Sequence, residues 1–524
     1  MFAMRLAMRI CLVLLAGMAA GCGSRSARVA EPDRGAWADE LVRQGCYDCL
    51  LDARTAYERL AATSAAALTR VFEVDLLLAL REKELSIDPA ATLAHAESLV
   101  PRLARLGPPE GGHYVGPPKG GHYVLQAERL LAIVRTVPED AAGRRVLPPT
   151  NTAAQQIDQA LAAIDTSPFS AELKDYLRLT IQCGRTTSDR VPAVPANGIP
   201  LLAYRRAICT PPLLFDRLRA VRTAVPRFVE ASFFLGRVAM ASIFRTDGSE
   251  VRGFFEQAYA RFPNSPTIAF DLGTVYQATN ECRPAERLFT RALELKPAHE
   301  EARLGRAVCR TYLSQNEEAV ADATVLIDAR ASNRGEAYYW RAWNHRHLKQ
   351  IAPARADIDQ ARALRYNARV LTLAGMIEYD QRDLVAARSD LTQARDLDPR
   401  ECDAPWYLGL VEIAVEAWPP GAKAFAGAAQ CYEALVKETE QFRADMAARK
   451  DVSDEFRKRQ LAGFDAAIAD DNVRKSAAEL NAAINYGRAG DIPNATVYMK
   501  RAAVDPERRT AVEDLRQVLG VPRW

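Results

Sequence analysis

The stretch PTIAFDLGTVYQATNECRPAERLFTRALELKP, residues 266–297, carries the landmarks from which the fold is read: Leu272-Gly273, Tyr276, Ala285, Phe289, Ala292 and Pro297. The same landmarks recur in phase. Gly273 is followed by Ala307, Ala342, Gly375 and Gly409, Ala285 by Ala319, Ala354 and Ala387, and Phe289 by Ala323, Ile358 and Leu391. All three series open with steps of 34, 35 and 33 residues, a period at which one supersecondary unit stacks on the next. An upstream unit is marked by Leu235-Gly236, Phe255, Ala258 and Pro263, with a longer turn around Thr246-Asp247-Gly248. Downstream, Trp406-Tyr407-Leu408-Gly409 opens a unit that turns at Trp418-Pro419-Pro420-Gly421 and continues through Cys431-Tyr432-Glu433-Ala434.

These spacings resemble the tetratricopeptide repeat (TPR) signature of two antiparallel helices per unit. The resemblance covers six units over residues 229–440 and implies an all-α, right-handed superhelical TPR solenoid that binds a protein or peptide partner rather than catalysing. The small residues have a physical reason. Gly273 and Ala285 fall where the two helices of a hairpin cross, and a larger side chain would push them apart; Pro297 stops the second helix. The family's concave face is lined mainly by first helices, and the register points Phe234, Arg237, Phe270, Asp271, Tyr339, Trp340, Trp343, Arg346, Tyr379, Trp406 and Tyr407 towards it. Aromatics and arginine carry disproportionate energy at interfaces, which singles out Tyr339 to Arg346. For Trp340 and Trp343 the alternative is packing between adjacent hairpins. Some TPR proteins bind chaperone C-termini through groove asparagines and lysines. The comparable positions here hold Asp271, Gly305, Trp340, Leu373 and Tyr407, so that carboxylate clamp is absent.

At the N-terminus, Arg5 and Arg9 precede an eleven-residue apolar run, Ile10 to Ala20, and small residues lead to Cys22. The run is about half the ~20 residues that span a bilayer, so it reads as a signal peptide (1–21) and not a retained anchor. Ala19-Ala20-Gly21-Cys22 resembles the lipobox of bacterial lipoproteins, with Ala19 where leucine is commonest. The resemblance implies lipidation at Cys22, a tether over 22–35, and a protein held at the bacterial envelope, on the outer membrane facing the periplasm.

Residues 36–190 read as an irregular α-helical region, with hairpins over Trp37–Leu60, turning near Gly45, and over Phe72–Leu106. Within it Gly107–Val115 (GPPEGGHYV) repeats as Gly116–Val124 (GPPKGGHYV). Its prolines and glycines exclude a helix, and the sequence predicts an exposed loop over 107–124 with helix resuming near Leu125. Residues 191–228 read as a Pro-rich linker and lead-in helix, 441–475 as charged, solvent-exposed helices, and 476–524 as a final hairpin and cap.

Lys plus Arg number 69 against 66 Asp plus Glu, so no strong field exists to recruit nucleic acid. Beyond Cys11 and Cys22, eight cysteines remain. Export makes pairing plausible, and Cys183 with Cys209, bracketing the Pro-rich loop, is the first candidate. Cys46-Tyr47-Asp48-Cys49 invites a redox reading, but helices flank it on both sides where thioredoxin-like use needs a strand, so a structural pair is the better reading. His345 and His347, two apart on a helix, do not share a face, and His113 with His122 are copies in the duplicated loop. No HExxH, G-x-S-x-G, P-loop or dinucleotide fingerprint is present, so no catalytic residue, metal or cofactor is assigned. Two further functions stay open at this point: a structural accessory lipoprotein of an outer-membrane or secretion complex, and an enzyme using the N-terminal helical half.

Overall fold

The computed structural model describes residues 34–103, 121–137, 151–182, 198–209, 214–240, 248–450, 452 and 454–524. Among the described residues every regular element is helical. Nine helices precede the array: α1 (Arg34–Gln44), α2 (Tyr47–Leu60), α3 (Ala65–Glu84), α4 (Ala90–Leu103), α5 (Gly121–Thr136), α6 (Asn151–Asp165), α7 (Ala171–Gln182), α8 (Pro200–Cys209) and α9 (Leu214–Ala224). Six hairpins follow: α10 (Glu230–Met240) with α11 (Gly248–Arg261), α12 (Pro266–Ala278) with α13 (Cys282–Leu295), α14 (Glu300–Tyr312) with α15 (Asn316–Asp328), α16 (Arg334–His347) with α17 (Ile351–Leu364), α18 (Ala368–Asp380) with α19 (Leu384–Leu397), and α20 (Asp403–Ala414) with α21 (Trp418–Ala448). A seventh pairs α22 (Asp454–Arg488) with α23 (Ile492–Ala502), and α24 (Arg509–Val518) packs over its end. The fold is an all-α solenoid of tetratricopeptide-type hairpins.

Two local devices build the hairpins from the second onward. The first is a small residue at the crossing: an added Cβ at Gly273 would stand 2.9 Å from the Phe289 ring, far inside van der Waals contact. The second is a three-residue turn. Asn280, Ser314, Lys349, Arg382 and Glu416, and Gly490 in the seventh hairpin, all take positive φ. In each the next N–H returns to a carbonyl five residues back, as from Glu281 to Tyr276 (2.8 Å) and Asp383 to Glu378 (2.9 Å). This is the Schellman closure of a helix C-terminus. Five of the six positions are not glycine, which hid the turn from a sequence reading keyed to Gly and Pro.

The N-terminal half departs from the expected hairpins. α3 is buried continuously from Val71 to Glu84 and packs against α2, α4, α5 and α7. Buried with it are Glu73, Asp75, Arg81, Glu82, Lys83 and Glu84, a charge density tolerable only because partners close around it. Arg81 Nη2 donates to Glu230 Oε1 (2.6 Å), and Arg205 Nη1 and the Tyr176 hydroxyl donate to Glu84 Oε1 (2.6 Å each). The Arg81 guanidinium also lies 3.8 Å from the Tyr204 ring centre. Burial raises the Glu230 carboxyl above its ordinary range against the pull of Arg81. One apolar core runs without interruption from Ala38 to Leu288, so the nine leading helices and the first hairpins form one body.

Several expectations need correction. Within 191–228, where the sequence predicts a linker and one lead-in helix, the described residues hold two helices, α8 and α9, and Leu201, Tyr204 and Phe228 are fully buried; the Pro-rich stretch 191–197 lies outside the described residues. Residues 441–475 form no separate element. Their helical residues belong to α21 and α22, of 31 and 35 residues, which pack on each other and are about 46 and 52 Å long at 1.5 Å per residue. Helix resumes at Gly121, inside the second copy of the duplication, because the forbidding prolines end at Pro118. The rest of the duplicated loop, Cys22 with the signal and tether, and the turn at Thr246-Asp247 lie outside the described residues. So does Cys183, and with it the pairing to Cys209. Among the described residues, disulfides join Cys46 to Cys49 and Cys402 to Cys431. The first is buried, with the Cys49 N–H donating to Cys46 Sγ at the start of α2.

Candidate partner-binding groove

First helices of successive hairpins pack directly on one another, α12 on α14, α14 on α16, α16 on α18 and α18 on α20, whereas no comparable packing joins successive second helices. The inner surface of the stack is therefore made by first helices. Their residues divide into two sets.

Phe234, Asp271, Tyr339 and Trp340 are buried, and their expected place on an open groove is corrected. Phe234 packs in the core against Phe233 and Tyr204 (centroids 4.9 and 5.8 Å). Asp271 is buried and forms an ion pair with Arg237 across the first two hairpins (3.1 Å). Tyr339 and Trp340 meet edge to face at 5.3 Å under the guanidinium of Arg369, 4.1 and 4.7 Å from their ring centres. Packing between hairpins, the alternative left open for Trp340, is what the structure shows; a partner sees Arg369 before it sees that ring.

Arg237, Phe270, Trp343, Arg346, Tyr379, Trp406 and Tyr407 keep part of their surface exposed. Phe270 lies against Phe289 and His299, and Trp343 against His347. The structure joins Arg346, Tyr379 and Tyr407 across three hairpins. Arg346 of α16 donates through Nε to Asp380 of α18 (2.7 Å) and through Nη2 to the Tyr407 hydroxyl of α20 (3.3 Å). Tyr407 in turn meets Tyr379 edge to face at 6.3 Å. Burial works against the Arg346 charge, but Tyr407 and Asp380 outweigh it and hold the group firmly protonated.

Beyond Tyr407 the surface deepens into a cavity of about 350 Å³ lined by Met376, Asp403, Trp406, Tyr407, Tyr432, Val473, Arg474, Ala477 and Arg508. The Tyr432 hydroxyl donates to Asp403 (3.0 Å), and burial with this carboxylate pushes the phenol's pKa up. Trp406 rests edge to face on Phe425 at 5.4 Å. Two guanidiniums, three aromatic rings and one already engaged carboxylate suit a ligand with apolar and hydrogen-bonding groups. Sequence reading missed Val473, Arg474 and Ala477, because nothing in a local repeat says that the long α22 folds back beside α20, and Arg508, which the turn before α24 brings to the same cavity.

A second cavity, about 570 Å³, opens between the fourth and fifth hairpins and includes Glu336, Tyr339, Arg365, Arg369, Asp398 and Glu401. Glu336 bridges Arg365 (2.5 Å) and Arg369 (3.9 Å). Burial, reinforced by Asp403 and Asp398, raises Glu401 to about 7. Among the described residues no three ligating side chains could hold a metal ion, and no helix is long and apolar enough to cross a membrane.

No family model matches the chain, and no curated protein matches it. Solved structures do. The chain is similar to the APC/C hetero-tetramer Cut9–Hcn1 at 13% identity, TM-score 0.38, over 92% of this chain and 95% of that one. It is similar to Pseudomonas aeruginosa pilF at 16%, TM-score 0.34, over 39% and 92%, and to a tetratricopeptide repeat protein from Parabacteroides merdae ATCC 43184 at 15%, TM-score 0.31, over 50% and 99%. No partner or activity follows from likenesses this distant.

Proposed function

We propose that this chain is an envelope scaffold, lipid-anchored at Cys22, that binds a protein or peptide partner along the inner face from Trp343 to the cavity beside α22. The observation that carries the reading is the Arg346–Asp380–Tyr407 bridge. It fixes three first helices in one register and presents guanidinium and aromatic surface from a rigid support, the arrangement in which interface residues contribute most. The fold supplies binding surface, and no residue is assigned a catalytic step.

Site-resolved photocrosslinking in intact cells tests it. A crosslinker at Tyr407 or Trp343 should trap one recurrent partner, while one at Val385, 80% exposed on a second helix, should trap none. Capture from Val385 alone would place the partner on the outer face and overturn the groove. The anchor is tested separately: Cys22→Ser should leave unprocessed precursor or a soluble form. Wild-type mature protein that begins elsewhere and partitions into the aqueous phase would end that part of the reading.

A further inference from the structure

Cys282 opens α13, and Cys309 lies in the last turn of α14, two helices that pack on each other across the junction of the second and third hairpins. Both sit in one cluster with Ala285, Phe289 and Ala302, and Cys282 is close enough to act on the Cys309 thiol. Cys309 is fully buried and Cys282 is 7% exposed. Burial does not bar pairing: Cys46 and Cys49 are both fully buried and are joined, which requires that their bond form before or while the surrounding helices close.

We infer that Cys282 and Cys309 are a covalent cross-link site, oxidised by thiol–disulfide exchange with a small disulfide into a staple between the second and third hairpins. The Cys282 sulfur is the first nucleophile. It is the more accessible of the two. Having lost its proton to water, it attacks one sulfur of the oxidant's disulfide and expels the other as a thiolate. Cys309, whose thiol is held protonated by burial and by its neighbours Cys282 and Glu286, then loses its proton and attacks the Cys282 sulfur of the mixed disulfide, releasing the second oxidant sulfur. Two thiols have lost two protons and two electrons. The oxidant's S–S bond has become two thiols.

The position gives the bond a mechanical consequence. The N-terminal body's core ends at Leu288 on α13, and the hairpins that carry Arg346 and Tyr407 begin beyond α14. In a stack whose hairpins lean only on neighbours, this junction otherwise rests on packing and polar contacts. The staple makes it covalent.

The test uses the full chain, reduced and then exposed to oxidised glutathione, alkylated under denaturing conditions, digested and analysed by mass spectrometry. The expected product is a peptide pair joined through Cys282 and Cys309, lighter by two hydrogens than its two thiol peptides. Oxidation should also raise the melting midpoint of wild type more than that of Cys309→Ala, in which the other disulfides still form. Alkylation of both cysteines after Cys46–Cys49 and Cys402–Cys431 have re-formed would overturn the proposal. So would separate glutathione adducts on each, or linkage of either to a different cysteine.

Discussion

A Cβ added to Gly375 would stand 2.5 Å from Cγ of Leu391 and 3.3 Å from the carbonyl oxygen of Ala387. The two helices of the fifth hairpin are therefore as close as their backbones permit. Gly375→Leu must either part them or force strained rotamers, at a cost of ~1–3 kcal/mol or more. Glu317→Gln, on an exposed surface of α15, should change stability by less than about 0.5 kcal/mol. Urea unfolding of the two variants side by side checks the register.

The paired substitutions Arg346→Ala and Trp340→Ala should behave differently. Trp340 is 9% exposed and packs against Tyr339, Tyr312 and Arg369, so its truncation should cost about 3–5 kcal/mol and lower the melting point. Arg346 holds a bridge at the inner surface. Its loss should cost binding by roughly thirtyfold, about 2 kcal/mol, with a smaller change in melting. Full partner retention by Arg346→Ala would move the binding site away from this bridge.

Arg81 and Glu230 form a buried pair between residues 149 apart in sequence. Glu230→Ala removes the shorter of the two carboxylate contacts of the buried Arg81 guanidinium, leaving Glu84 at 3.2 Å, and should destabilise by about 3 kcal/mol. The double change Arg81→Met with Glu230→Leu removes both charges and should cost far less than the single one. Chemical denaturation of the three proteins reads the difference.

Glu401 is raised from the usual carboxylate value of 4.5 to about 7 by burial and by Asp403 and Asp398, with Arg369 and the Thr372 hydrogen bond opposing. A carboxyl that folding prefers neutral contributes no penalty at acid pH, and stability declines as pH rises through its folded value. Wild type should therefore lose melting temperature between pH 5 and 8. In Glu401→Gln the part of that loss due to this group should vanish.

Lys349 holds φ at 61° in the turn between α16 and α17, a conformation that costs a side-chain-bearing residue roughly 1–2 kcal/mol. Lys349→Gly relieves that strain but adds entropy to the unfolded chain. The net should be a gain of a few tenths to about 1 kcal/mol, seen as a higher unfolding midpoint. A loss would show that the lysine makes a contact worth more than the strain.

The repeat was legible in sequence because its cause is local and periodic. The hairpins set small residues at their crossings, facing bulky ones as at Gly273 with Phe289 and Gly375 with Leu391, and these positions return every 33 to 35 residues. Which first-helix side chains remain exposed was only half legible. Tyr339 and Trp340 share the inward register of Trp343 and Arg346, but Arg369 of the next hairpin covers them. The burial of Arg81 and Glu84 was not legible at all. A charged residue is buried only where distant groups neutralise it, and here those groups are Glu230 and Arg205, brought up by helices more than a hundred residues away. The sequence by itself thus determined what neighbours along the chain impose, the helical hairpins and their stacking. Tertiary structure alone decided what depends on desolvation by remote partners: the charged heart of the N-terminal body, its continuity with the array, and the cavity that α22 closes beside Trp406 and Tyr407.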